Sequence, residues 1–260
     1  MKNLRIYGKE PYRIALIHGG PGAWGEMASV AQFLSSKQGI LEPLQTAKSI
    51  KEQIEELKQQ ILNSGEPPFI LIGFSWGAWL SLLTAVYHPL IIGKIILIGC
   101  GPLEQKYSQV IIDTRLERLN ESQRADYNSI MKDLTKRGNS KQTKNLIKKL
   151  KKYTNITDQY NPLSNIYENI KFNKEVYQNV WKEAAELRKN GKLLELIKTI
   201  NCPVVAIHGK YDPHPAEGVK KPLSRILNDF QFFELEKCGH KPWIEKEAMV
   251  KFYNILRTQL

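Results

Sequence analysis

Ser75, Asp212 and His240 are a hydroxyl, a carboxylate and an imidazole. Together those groups can attack a carbonyl carbon, because serine needs a base to take its proton and a third group to orient the base. Ser75 lies in Gly73-Phe74-Ser75-Trp76-Gly77, with a glycine two residues away on either side. Glycines so placed let the chain turn sharply and hold the serine hydroxyl away from the backbone. His18-Gly19-Gly20-Pro21-Gly22 is a second glycine-rich stretch, able to aim free N–H groups into a cleft.

Such chemistry needs a frame. Residues 69–72 are apolar, β-prone and preceded by Pro67-Pro68, so they read as a buried strand. Residues 78–86 follow with apolar side chains three and four apart and stop before Pro89, which reads as a helix. Short strands are expected at 4–7, 12–17, 39–42, 94–100, 203–208 and 230–235, and a helix at 23–34. Ser49 opens another helix with capping-box spacing to Glu52, followed by Ile50, Ile54, Leu57 and Ile61 along one face. Further helices are expected at about 222–228 and 244–256. Strands alternating with helices imply an α/β fold, a mostly parallel central sheet with helices on both faces.

Residues 102–200 differ in character: polar, basic, helical in pattern, with no strand-like apolar run. They hold 20 Lys+Arg against 12 Asp+Glu, so most of the net charge of +12 resides there. The pattern reads as a solvated helical surface, since it lacks a regular alternation of basic and aromatic residues; a nucleic-acid partner is not expected. The expected organisation is a core of residues 1–101 and 201–260 with a basic helical cap, 102–200, inserted between them. No apolar run reaches membrane-spanning length, and the N-terminal residues show no secretory h-region. Three widely separated cysteines, Cys100, Cys202 and Cys238, suit a reduced, cytoplasmic protein. The oligomeric state is left open.

In a parallel sheet, loops after strands gather at one edge. Asp212 follows the 203–208 strand and His240 the 230–235 strand, so both can converge on Ser75. The order Ser, Asp, His is that of α/β-hydrolases. The chain resembles that superfamily over residues 10–101 and 201–260. His18-Gly19-Gly20-Pro21-Gly22 is similar to the oxyanion loop of its proline iminopeptidase-like branch, and Gly73-Phe74-Ser75-Trp76-Gly77 to its nucleophile elbow. Gly209-Lys210-Tyr211-Asp212 resembles the acid loop, and Gly239-His240 the histidine loop. Two features depart from the family: few residues precede the oxyanion-loop strand, and Glu42-Pro43-Leu44-Gln45-Thr46 stands where the family carries Asp-x-x-Gly-x-Gly-x-Ser.

The resemblance implies a serine hydrolase of an ester, thioester or small amide, acting on a small-molecule substrate without metal or organic cofactor. Ser75 would be the nucleophile, His240 the base and Asp212 the acid, with the backbone N–H groups of Gly20 and Trp76 facing the oxyanion. Glu104 is the reserve acid. Trp24 and His214 are candidate pocket residues, and His18 is expected to buttress its loop. An aminopeptidase for N-terminal proline is the narrower alternative; it would need Glu168, Glu183 or Glu186 to hold the substrate's ammonium group. A non-catalytic binding protein on the same scaffold is the third reading.

Overall fold

The computed structural model describes residues 3–135, 140–163 and 171–260. The chain begins with β1 (Leu4–Tyr7) and β2 (Tyr12–Ile17), then a two-residue strand β3 (Ala23–Trp24), α1 (Ala28–Leu34) and β4 (Gly39–Pro43). In α2 (Ile50–Leu62), Ser49 is the N-cap, its hydroxyl accepting from the Glu52 amide at 3.2 Å. Strand β5 (Phe69–Phe74), helix α3 (Trp76–Tyr87) and strand β6 (Ile92–Ile98) come next. An inserted segment carries α4 (Ser108–Glu117), α5 (Glu121–Thr135), α6 (Ser140–Asp158), the short β7 (Lys171–Phe172), α7 (Lys174–Lys189) and α8 (Lys192–Ile197). The chain returns through β8 (Val204–Gly209), α9 (Glu217–Ile226), β9 (Phe230–Leu235) and α10 (Met249–Thr258).

The main sheet has seven strands in the order β1-β4-β2-β5-β6-β8-β9. Only β1 runs antiparallel to its neighbour; the other pairs are parallel. Alternate strand residues serve opposite faces, as the period-2 geometry of a strand requires. Ala15, Ile17 and Leu71 join the apolar cluster under α2, α3 and α8, whereas Ile14, Leu16 and Ile72 join the cluster under α1 and α10. The register aligns Ile17 with Gly73, Phe74 with Ile98, Ile98 with Ile207 and Gly209 with Leu235. The C-terminal ends of five strands therefore finish along one edge, with the His18 loop, Ser75, Gly99 and the loops holding Asp212 and His240 following in line.

Several expectations are corrected. The helix expected at 23–34 starts only at Ala28, because Ala23 and Trp24 pair antiparallel with β7 and Gly25 has φ +97°, outside helical space. That same pairing puts a short strand inside a segment read as wholly helical. Helix α9 begins at Glu217, ahead of the expected 222, and runs through Pro222. A proline there cannot donate to the carbonyl four residues back. The Gly218 carbonyl accepts from Leu103 N at 3.0 Å instead. The last helix starts at Met249 after a 3-10 turn over Pro242–Ile244.

The inserted segment divides by packing. Val176, Val180, Ala184, Leu193 and Ile197 of α7 and α8 belong to the main core. Leu119, Tyr127, Ile130 and Tyr153 form a small cluster of their own. Among the described residues no helix is long and apolar enough to cross a membrane.

Candidate active site

Ser75 stands on the turn between β5 and α3 with φ 52° and ψ −110°. A non-glycine residue with positive φ persists only where its surroundings impose it, at a cost of about 1–3 kcal/mol. Here Ser75 N donates to Ile98 O at 2.9 Å, tying the turn to β6. Gly77 lies so close to the neighbouring strand end that an added Cβ would come within 2.3 Å of the Ile17 carbonyl. The two glycines of the motif thus serve close backbone packing as well as the turn.

The Asp212 side chain is fully buried, and both its oxygens are engaged. His240 Nδ1 lies 2.7 Å from Oδ2. His214 approaches Oδ1 with its backbone N at 2.9 Å and its Nδ1 at 2.7 Å. A carboxylate only accepts, so both imidazoles donate from Nδ1 and His240 keeps Nε2 as the second ring nitrogen. Burial alone would raise the Asp212 pKa, but the attraction of His240 and His214 and their hydrogen bonds hold it well below the usual carboxylate range. Burial pushes His214 down to about 4, against the pull of Asp212. The two imidazole rings stack at 4.3 Å between centroids, with the Phe74 ring 4.8 Å from His240.

His240 therefore sits beside the elbow. Gly99 follows Ile98, the residue that holds Ser75 N, and a Cβ on Gly99 would reach within 3.0 Å of His240 Nδ1. Among the described residues the Ser75 hydroxyl makes no hydrogen bond to His240.

The backbone around His240 is fixed from the inserted segment. His240 N donates to Asp158 O at 2.7 Å. Asp158, at the end of α6, is clasped by Arg115 of α4 through Nε at 2.9 Å and a second guanidinium nitrogen at 2.6 Å. Burial would raise the Asp158 pKa, but Arg115 outweighs it and the net direction is down. Arg118 donates to the carbonyls of Thr157 and Tyr211 and lies over the Tyr211 ring. The buried Glu245 carboxylate accepts three backbone amides, Gly239 N and Tyr160 N at 2.8 Å and Asn161 N at 2.7 Å. Gly99, Arg115, Asp158 and Glu245 were not singled out from the sequence; only Gly99, closing a strand, carried a readable signal.

His18 Nδ1 donates to Gly19 O at 2.8 Å and Nε2 accepts from Gln45 N at 3.2 Å. Complete burial pushes its pKa down to about 4, so it is neutral and buttresses the loop. Trp24 donates from Nε1 to Gln45 O at 2.6 Å, so its indole is anchored to the loop after β4. Gly20 has φ +40°. Among the described residues neither Gly20 N nor Trp76 N donates to another protein group. The Trp76 ring is buried and donates to Gln53 Oε1 at 3.0 Å.

The structure brings Ser75, Asp212, His240 and His214 to one place. Glu104 is elsewhere, paired with Lys106 at 3.0 Å and Arg225 at 3.5 Å. Glu183 and Glu186 line an open groove of about 810 Å³ that reaches Leu83 and Tyr87, toward the far end of α3 from Ser75, and Glu183 accepts from Ile50 N at 2.8 Å. Glu168 lies outside the described residues.

Asp212, His214 and His240 each offer a ligand atom within 4.8 Å of one another. The Nδ1–Oδ contacts of 2.7 Å are hydrogen-bond lengths. They are shorter than the roughly 3.3 Å between donors on a tetrahedral zinc, taking bond lengths near 2.0 Å. As arranged, the trio is a proton-sharing group.

The sequence pattern of the Alpha/beta hydrolase family matches residues 14–252. No curated protein matches by sequence. The fold is similar to that of VinJ, with a TM-score of 0.71, 13% identity, and 98% of this chain and 93% of that one covered. A putative lipase from Acinetobacter baumannii AYE gives 0.62, 19%, 98% and 87%. A monoacylglycerol lipase from Paleococcus ferrophilus gives 0.62, 15%, 98% and 96%.

Proposed function

Because the chain belongs to the alpha/beta hydrolase family, we propose that it is a serine hydrolase that cleaves an ester, thioester or small amide through an acyl-enzyme. The observation that carries this reading is the 2.7 Å contact of His240 with Asp212 beside the strained Ser75 turn. His240 Nε2 takes the Ser75 proton as Oγ attacks the substrate carbonyl. Asp212 fixes the Nδ1–H tautomer and stabilises the imidazolium. The N–H groups of Gly20 and Trp76, without other partners, receive the developing oxyanion; one such donor is worth about 2.7–4 kcal/mol of barrier. The imidazolium then protonates the leaving group, and a water activated by the same nitrogen releases the acid. The Ser75–His240 hydrogen bond forms as substrate fills the site, since such bonds are often long in a free enzyme and tighten on binding. The described helices α4 to α6 of the inserted segment act as the cap over this edge.

Two of the similar structures are described as lipases, which favours carboxylic esters as the substrate class. The test is a panel of p-nitrophenyl acyl esters and aminoacyl p-nitroanilides with wild type and Ser75→Ala. Turnover of acyl esters is expected, with a fall on the order of 10⁶ in kcat for the variant. Equal rates in the two proteins would contradict the nucleophile, and turnover of aminoacyl substrates alone would replace the esterase by a peptidase.

A further inference from the structure

We propose that His214 is a positioning residue that shares the carboxylate of Asp212 with His240 and so limits how tightly that carboxylate holds the His240 imidazolium. This rests on the serine hydrolase reading and concerns the acid of the same site. Asp212 Oδ1 is occupied by two donors from one residue, His214 N and His214 Nδ1. Oδ2 takes His240 Nδ1 at 2.7 Å, with the buried His208 Nε2 farther off at 3.6 Å. His214 is itself fixed from behind: His208, buried on β8, bonds through Nε2 to the His214 carbonyl at 2.8 Å. The ring lies flat against that of His240, at an interplanar angle of 26°. A lone turn aspartate would let its second oxygen swing; here three donors set its plane.

The charge around the trio makes His214 the adjustable partner. Asp158 faces both rings from the end of α6, but Arg115 of α4 neutralises it. Burial pushes the Cys100 and Cys238 thiols, beyond β6 and β9, upward, so they stay uncharged. Glu245 is taken up by its three amides. Lys241 pairs with Glu26 at 3.2 Å. His214 remains neutral above about pH 4 and still donates. Its Nδ1–H draws carboxylate charge toward Oδ1 and away from His240. Removing that donor returns the charge to Oδ2 and favours the imidazolium, which cannot act as base.

The test compares pH profiles of kcat/KM for wild type, His214→Phe and His214→Asn on an acyl ester. Phenylalanine keeps the ring stack and loses the donor. Its acid limb should move up by about one pH unit, equivalent to roughly tenfold lower kcat/KM on the acid side. Asparagine places an N–H near the position of Nδ1 and should restore the wild-type limb. A His214→Phe profile that superimposes on wild type, or an asparagine variant no better than phenylalanine, would overturn the proposal. A second readout needs no turnover and no phenylalanine variant. In ¹⁵N-histidine-labelled wild type, His214, assigned with His214→Asn, should show a neutral Nδ1–H tautomer throughout pH 5–8. An Nε2–H tautomer, or titration within that range, would overturn it. Failure of wild type to hydrolyse any ester would count against the hydrolase reading alone, because the imidazole spectrum bears on His214 either way.

Discussion

Helix α3 buries every residue from Trp76 to Ala85, whereas α4, ten residues long, buries none. Both helices nonetheless position the site. The first does so by apolar packing: it is wedged between the sheet and α2, and Ser75 is carried at its head. The second does so through charge. Arg115 of α4 and Arg118 at its C-cap reach to Asp158, Thr157 and Tyr211, and Asp158 then holds the backbone of His240. Apolar burial is roughly additive and tolerant, while a buried ion pair fails abruptly when one partner is lost. The sheet edge should therefore survive small changes that detach the histidine loop from the inserted segment.

After loss of the Ser75 hydroxyl itself, the largest effect is expected at Asp212. Asp212→Asn should keep the fold but favour the wrong His240 tautomer, lowering kcat by about 10⁴-fold in ester assays. Next come two stability changes that set the two regions against each other in urea titrations. Leu80→Ala in α3 should cost about 2–5 kcal/mol by leaving a cavity. Arg115→Met should cost about 3 kcal/mol by stranding Asp158, and Arg115→Met with Asp158→Leu should regain most of it. If the double variant stays as unstable as the single one, a stranded Asp158 charge is not the cause of the loss.

The pH dependence of stability is set on the core side by His18. Its folded pKa of about 4 lies below the ordinary value of 6.5, so the native state disfavours its protonation. Its contribution is complete above pH 6.5 and is lost as pH falls toward 4. His214 contributes with the same sign. His18→Gln should flatten part of the fall in urea midpoint across that window; an unchanged slope would remove His18 as a cause. The smallest effect is expected at Ile112 of α4, which is exposed: Ile112→Ala should stay within about 0.5 kcal/mol.

The same contrast explains what the sequence disclosed. Apolar runs at 69–72 and 203–208 announced buried strands, and the glycines around Ser75 announced its turn, because local pattern and tertiary role coincide there. His214 was legible only as a neighbour of Asp212, not as its second partner, since the distance between side chains two apart depends on the loop. Arg115, Asp158 and Glu245 gave no signal at all. They lie in polar stretches where a buried ion and a solvated one look alike in sequence. Pairing between Trp24 and Lys171 was hidden for a related reason: two-residue strands have no periodicity.

The proposed chemistry stands on Ser75 being the reactive hydroxyl of this site. Reaction of the wild-type protein with a fluorophosphonate, followed by peptide mapping in a mass spectrometer, tests it most directly. One adduct is expected, on Ser75, and it should form slowly or not at all in His240→Ala. A folded wild type that takes no label, or takes it on another residue, would contradict it.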